Sequence, residues 1–311
     1  MSNPWQDNTA RDIEIRPAEN AIDVDDAMAL VDHQTSRRAP DDRWRAEWGH
    51  GYPGFAPERT RMAYWRGSLA GALYIHSETM QIGEARLRTA ALSWPTTGGR
   101  YREKGVGRSL LADAMRYVTE HRYHVALFFG EPHVHYPFGF AHCLPEYSIE
   151  TSTYECLKRQ NPYRARLGFP GDLPELQRLH NHNDVQVPCS LLRFRGHFAR
   201  RSHMDARHHV LLDSRGRIGA YGILQMDGVA LHVVESAVRD EAWCDSLLSH
   251  CGHVADEHSV EEIHVHAPPA HPIARHLKHV PSTHSTSVYT SPPRNPMRST
   301  RIPSPVSRIL K

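Results

Sequence analysis

The stretch Arg102-Glu103-Lys104-Gly105-Val106-Gly107 constrains this 311-residue chain more than any other. An apolar run, Ala90-Ala91-Leu92-Ser93-Trp94, precedes it, and a turn-rich loop, Pro95-Thr96-Thr97-Gly98-Gly99, leads in. Behind Gly107, the residues Leu110, Leu111, Ala114, Met115 and Val118 recur at helical spacing. The order is strand, glycine loop, helix. A helix that starts in this way presents free backbone N–H groups and the positive end of its dipole. Glycines let a ligand come close to that backbone. The product is an anion site suited to phosphate.

Two common phosphate loops do not fit. A nucleoside-triphosphate loop needs a G-x-x-x-x-G-K-[ST] run, which the sequence lacks. A dinucleotide fingerprint needs a third glycine where Leu110 stands. What remains is R-x-x-G-x-G after a strand.

The flanking chain supplies the context. Ile13 to Ala18 reads as a strand, and Asp23 to Val31, acidic at its start and apolar behind, as a helix. Arg61–Arg66 and Leu69–His76 around Gly67-Ser68 predict a hairpin, and Ala85–Trp94 the next strand. Val125 to Phe129 has the unbroken apolar character of a buried parallel strand. Tyr136-Pro137-Phe138-Gly139-Phe140 follows it, and Tyr147 to Glu150 is a further strand. Arg37 to Pro57 is rich in Arg, Trp, Gly and Pro. Its Trp44, Trp48 and Tyr52 either grip a substrate or pack inward from a helix.

The R-x-x-G-x-G loop and the Phe-Gly-Phe block, in this order, resemble the GNAT acyltransferases over residues 10 to 155. The resemblance implies that the backbone at Leu92, Ser93 and Trp94 lines the pantetheine arm of acyl-coenzyme A. Amides from Glu103 through Lys104, Gly105, Val106 and Gly107 to Arg108 then hold the pyrophosphate, and Arg102, Lys104 or Arg108 adds charge. The family's leaving-group acid is usually a tyrosine four residues before the glycine of the block. Here His135 stands four before Gly139 and Tyr136 three before. Tyrosine, with a pKa near 10, matches a thiolate leaving group better, so Tyr136 is the first candidate and His135 the second. Glu131 and His133 are the candidates for the base. Trp44, Trp48 and Tyr52 fall where an acceptor could be gripped.

The second half repeats the pattern. An ungapped shift of 137 positions lays Arg102 on Arg239, Leu110 on Leu247, Leu111 on Leu248 and Val125–Phe129 on Glu262–His266. Arg207–Asp213 and Ile218–Leu224 repeat the hairpin, while Gly105 becomes Ala242, Gly107 becomes Cys244 and Tyr136 becomes Ile273. The expected fold is α/β, with two tandem GNAT-like domains. Each has a mixed, mostly antiparallel sheet with a central parallel βαβ unit flanked by helices. The expected division is a catalytic domain at 1–155 and a degenerate one at 160–311. Thr151 to Pro162 would be the linker. The Pro- and Ser-rich segment from Pro281 to Lys311 could include a strand near Ser285–Thr290.

The resemblance implies an acyl-coenzyme A-dependent N-acyltransferase, with acetyl-coenzyme A as cosubstrate and a small or peptide amine as acceptor. The alternative is a catalytically silent protein of the same fold that binds a ligand or partner. It also allows a homodimer. A net charge of +2 argues against nucleic-acid and membrane partners. Five cysteines without a C-x-x-C pair, no signal-peptide pattern at Met1–Asp7 and no long apolar run suggest the cytoplasm. The 24 histidines are scattered along the sequence. His133-x-His135 and His264-x-His266 are the tightest pairs, and no four-ligand set emerges, so no metal is expected.

Overall fold

The computed structural model describes residues 12–35, 48, 54–128, 136–187, 189–193, 207–277 and 282–290. Strand β1 (Ile13–Pro17) leads to helix α1 (Ala21–Thr35). Strands β2 (Thr60–Trp65), β3 (Ser68–Ile82) and β4 (Ala85–Thr97) form an antiparallel meander. Helix α2 (Val106–Glu120) then crosses to β5 (Val125–Phe128), which lies parallel to β4. The stripe read from the sequence, Leu110, Leu111, Ala114, Met115 and Val118, does the packing: with Val106 it is buried against Leu73, Ile75, Leu92 and Phe128 of the sheet.

Strand β6 (Ala141–Ser152) is longer than the sequence suggested, and the expected linker behind it is a helix, α3 (Thr153–Leu157). Ser152 caps that helix by accepting the Glu155 N–H at 3.2 Å. The second half runs β7 (Arg164–Leu167), α4 (Leu173–Asp184), β8 (Ser190–Leu191), β9 (Arg207–Leu212), β10 (Ile218–Met226) and β11 (Ala230–Val238). Helix α5 (Ala242–Glu257), strand β12 (Glu262–His266), helix α6 (Pro272–Leu277) and strand β13 (Ser282–Thr290) complete it. Again the central pair, β11 and β12, is parallel around a helix.

Twelve of the strands form one path, β1-β2-β3-β4-β5-β13-β6-β12-β11-β10-β9-β7. Exchanging β1 with β7, β2 with β9, β3 with β10, β4 with β11, β5 with β12 and β6 with β13 reverses the path onto itself. The chain therefore has a pseudo-twofold axis between β13 and β6, which pair antiparallel. Each half lends a strand across that axis. β13 sits beside β5 of the first half, and β6 sits beside β12 of the second. β8 stands off the path and pairs with β3, with Ser190 and Leu191 opposite Gln81 and Met80. This arm covers Met80, Ala91, Val125 and Leu127, an apolar patch on the first half's sheet.

Candidate active site

The parallel ladder between β4 and β5 runs from Thr89 opposite Val125 to Leu92 opposite Phe128. Phe128 is the last described residue of β5, and β4 continues beyond its partner Leu92 to Thr97 with β3 alongside. Opposite Ala72 and Tyr74 stand Thr96 and Ser93, which puts one extra residue in β4 and makes a bulge there. The region from Pro95 to Thr97 is therefore strand and not turn. Among the described residues its outer edge has no strand partner, and an extended amide-bearing ligand could add to it as another strand would.

A short turn, Gly99–Tyr101, leads from that edge to α2. Tyr101 is buried and anchors the turn in the core. Glu103 and Gly105 both take left-handed φ, +64° and +81°. That conformation costs little at glycine, whereas at glutamate it is backbone strain of the kind that collects at binding sites. Gly105 is the N-cap of α2 and supplies no side chain, and the first turn holds no acid. The first intrahelical bond at this end is Ser109 N–H to the Gly105 carbonyl, 2.9 Å. The amides of Val106 and Gly107 therefore point out of the helix end without an intrahelical acceptor. The exposed Arg102 and Lys104 flank them, with the Lys104 ammonium over the Trp65 ring at 5.1 Å and the Tyr101 ring at 5.6 Å. A bare helix dipole, two cations and a strand edge thus meet at one place.

The second half closes each of these features. The first parallel partners are Thr89 and Val125 in one half, Ala230 and Glu262 in the other. They lie 36 and 32 positions apart, so four residues are missing between strand and helix. The backbone bond Gly98 N–H to Ala70 carbonyl has its counterpart in Arg239 N–H to Gly219 carbonyl. Arg239 thus corresponds to Gly98 and not, as the ungapped shift suggested, to Arg102. The missing residues fall in the glycine loop between Gly98 and α2. The start of α5 satisfies its own donors: Ala242 N–H reaches Asp240 Oδ1 at 3.0 Å, and the Trp243 and Cys244 N–H groups reach the Asp240 and Glu241 carbonyls.

The strand edge behind the second pair is also filled. β11 bulges at Val234 and parts from β12 after Val233. His271 Nε2 bonds the Ser236 carbonyl at 3.1 Å, and its Nδ1 accepts the Ile273 N–H at 3.3 Å. Burial lowers the His271 pKa to about 4, so the ring is neutral and can donate at one nitrogen while accepting at the other. The Asn183 amide meets both backbone groups of Val238, at 2.6 and 3.0 Å. Two side chains thus occupy this edge of β11.

Of the expected site residues, the structure brings Leu92, Ser93 and the segment Arg102–Arg108 to the end of β4 and the helix start. Trp94 continues the same strand. Tyr136 opens a single 3-10 turn behind β5 and is half exposed, while Phe138 and Phe140 of the same block are buried. Glu131, His133, His135, Trp44 and Tyr52 lie outside the described residues. Trp48 is a core residue: it is fully buried, its Nε1 donates to Thr60 Oγ1 at 3.1 Å, and its ring stacks on Tyr74. Of its two readings, inward packing is the one seen.

The sequence reading missed Asp113. It lies on the buried stripe of α2, and its carboxylate takes the Arg61 Nε–H at 2.5 Å and a hydrogen bond from Arg116. A lone acid between Leu110 and Ala114 was the available signal. A cavity of about 810 Å³ lies in the second half beside Arg166, Arg178, Arg217 and Arg239. Three of these arginines are already paired with Asp172, Glu175 and Asp213, which leaves little charge for a ligand.

A meander leading to a parallel strand pair around a helix, repeated in tandem with strand exchange, makes a fold of two GNAT-like halves. Residues 14–143 match the family described as "Acetyltransferase (GNAT) domain", and the chain carries a domain of that superfamily. The structure is similar to a GCN5-related N-acetyltransferase from Kribbella flavida, with a TM-score of 0.70, 14% identity, and 91% of this chain and 71% of that chain covered. It is equally similar in fold to one from Anabaena variabilis, at TM-score 0.70, 12% identity and coverages of 89% and 72%. Saccharomyces cerevisiae N-myristoyltransferase, solved with bound myristoyl-CoA, superposes with a TM-score of 0.59 at 10% identity, covering 90% of this chain and 82% of that one. No curated protein matches the sequence. Among the described residues, no helix is long and apolar enough to cross a membrane.

Proposed function

We propose that the protein is an acyl-coenzyme A-dependent N-acyltransferase, using acetyl-coenzyme A as donor and a primary amine as acceptor. The observation that carries this is the bare, left-handed entry to α2 at the end of β4. The pyrophosphate would rest on the amides after Gly105, and the pantetheine amides would pair with the outer edge of β4. The amine attacks the thioester carbonyl directly. The tetrahedral adduct collapses with loss of the thiolate, which takes a proton from Tyr136, with His135 as the second candidate. The amine's own proton leaves through Glu131 or His133, directly or by water. The acceptor is a small molecule or a peptide amine, and the compartment is the cytoplasm.

Thiol release from acetyl-coenzyme A against a panel of amines tests this reading. Amine-dependent release supports it. Coenzyme A binding without release by any amine would favour a silent binding protein of the same fold. Failure to bind at all sinks both. Gly105→Val probes the loop itself. A β-branched residue is strained at φ +81°, and its methyls stand where a phosphate would approach. Affinity for acetyl-coenzyme A should fall by about 10- to 100-fold, or roughly 1.4–2.8 kcal/mol. Binding equal to that of the parent would show that the loop is not the phosphate site.

Calorimetry should give one acetyl-coenzyme A per chain. The second half has lost the loop, capped its own helix with Asp240 and sealed its strand edge with His271 and Asn183. A stoichiometry near two would overturn the assignment of the cofactor to the first half.

A further inference from the structure

The register of the second half brings a distant third histidine, His232, beside the His264-x-His266 pair. His264 and His266 alternate on β12 and so share a face of the sheet. The parallel ladder sets His232 of β11 directly beside His264. The other face of these strands carries Leu231, Val233, Ile263 and Val265 into the core, so the histidines face away from it. Their rings form a row, with His232 and His264 centroids 5.0 Å apart and His232 and His266 centroids 5.3 Å apart.

Among the described residues no three His, Cys, Asp or Glu side chains already converge on one point. Two nitrogens do come together: His232 Nδ1 and His266 Nε2 are hydrogen-bonded at 3.0 Å, and a metal bound to both would displace the shared proton. A metal about 2.05 Å from each would see them at an angle of about 94°, between octahedral and tetrahedral values. The other nitrogen of His232 is held by Asp227 Oδ2 at 2.9 Å. This carboxylate–imidazole arrangement is the one that orients metal-ligating histidines. Asp227 is fixed in turn by the Val229 and Ala230 N–H groups, which hold its pKa well below the usual carboxylate range. His264 stacks beside His232 as the third imidazole of the row, with Glu262 Oε2 3.6 Å from its Nε2.

We propose that His232, His264 and His266 form a binding site for a divalent first-row metal ion of the zinc or nickel type, with Asp227 as the positioning carboxylate. Imidazole is a favoured ligand for these ions. Three donors on one face of a sheet leave the outward coordination positions for water or an exogenous ligand. The site is independent of the acyl-transfer reading, because it lies wholly on β11, β12 and the turn before β11.

The test is calorimetric titration of chelator-treated, untagged full-length protein with zinc chloride. The parent is compared with the triple variant His232→Ala/His264→Ala/His266→Ala and with the single variants His264→Ala and His266→Ala. Side chains on the outward face can be removed without opening the core, and a melting curve for each variant checks this. Because the chain has 24 histidines, the readout is the number of tight equivalents rather than binding as such. We expect the triple variant to bind one equivalent fewer and each single variant to bind that equivalent more weakly. Asp227→Asn should weaken it by about 10- to 100-fold. An unchanged number of equivalents in the variants, or no parent binding tighter than about 0.1 mM (roughly 5.5 kcal/mol), would overturn the proposal.

Discussion

Tyr136→Phe should lower turnover by about 10²- to 10⁴-fold while leaving acetyl-coenzyme A binding near its parent value. The reason lies in when the hydroxyl acts. Protonation of the thiolate matters only as the carbon–sulfur bond breaks, so losing it raises the barrier without loosening the ground state. The surroundings of Tyr136 make the substitution clean. Phe138 and Phe140 anchor the turn in the core, the Gly139 N–H closes it on the Tyr136 carbonyl at 3.0 Å, and Gly139 takes φ +84°. Tyr136 itself is half exposed, so removal of its oxygen leaves no hole in the core. Stopped-flow thiol release beside equilibrium binding separates the two effects. His135→Ala is the companion. A crippled His135→Ala with a near-normal Tyr136→Phe would assign the acid to the histidine.

The second large effect concerns stability. Asp113→Ala should cost about 3–5 kcal/mol, because it strands the Arg61 guanidinium. The Asp113 side chain is 2% exposed and that of Arg61 is 11% exposed, so water cannot replace the lost partner. At 2–4 °C per kcal/mol for a domain of this size, melting should drop by roughly 6–20 °C. Asp113→Leu with Arg61→Met removes both charges and should recover much of the loss, as buried pairs replaced by apolar groups commonly do. If Asp113→Ala melts with the parent, the pair does not hold α2 to β2. The loop that starts at Arg102 leans on that same helix, so the single variant should also bind acetyl-coenzyme A less well.

What the sequence made legible was local. The glycine loop, the apolar stripe of α2 and the run at Val125 each carry their own period or chemistry, and each formed the element expected. Contacts fixed at a distance were harder to read. Pro95 looks like a strand terminator, yet β4 runs through it. It falls at the bulge between Ser93 and Thr96 in the pairing with β3, where a missing N–H costs no regular ladder bond. Trp48 carries no mark that separates a binding aromatic from a core one, and its burial under Tyr74 comes from the fold. The shift of 137 positions aligned the helices and β12 correctly but slid over the four-residue gap, because Arg239 happens to be an arginine. The gathering of His232 with His264 depends on strand register, which no spacing along the chain reveals.

The exchange of β6 and β13 also has a consequence for how the protein is made. β5 is synthesised by residue 128, but its neighbour β13 begins at Ser282, more than 150 residues later. A ribosome adding about 5–20 residues per second needs roughly 8–30 s to cover that distance. Through that interval the nascent first half holds β5 with one side open and an aggregation-prone edge exposed. The sheet closes only when nearly the whole chain has emerged, so this protein should depend on chaperone cover during translation more than its two-part sequence suggests. Slowing translation after residue 155 would lengthen the exposed interval and lower the soluble yield, whereas the same slowing before residue 120 would not.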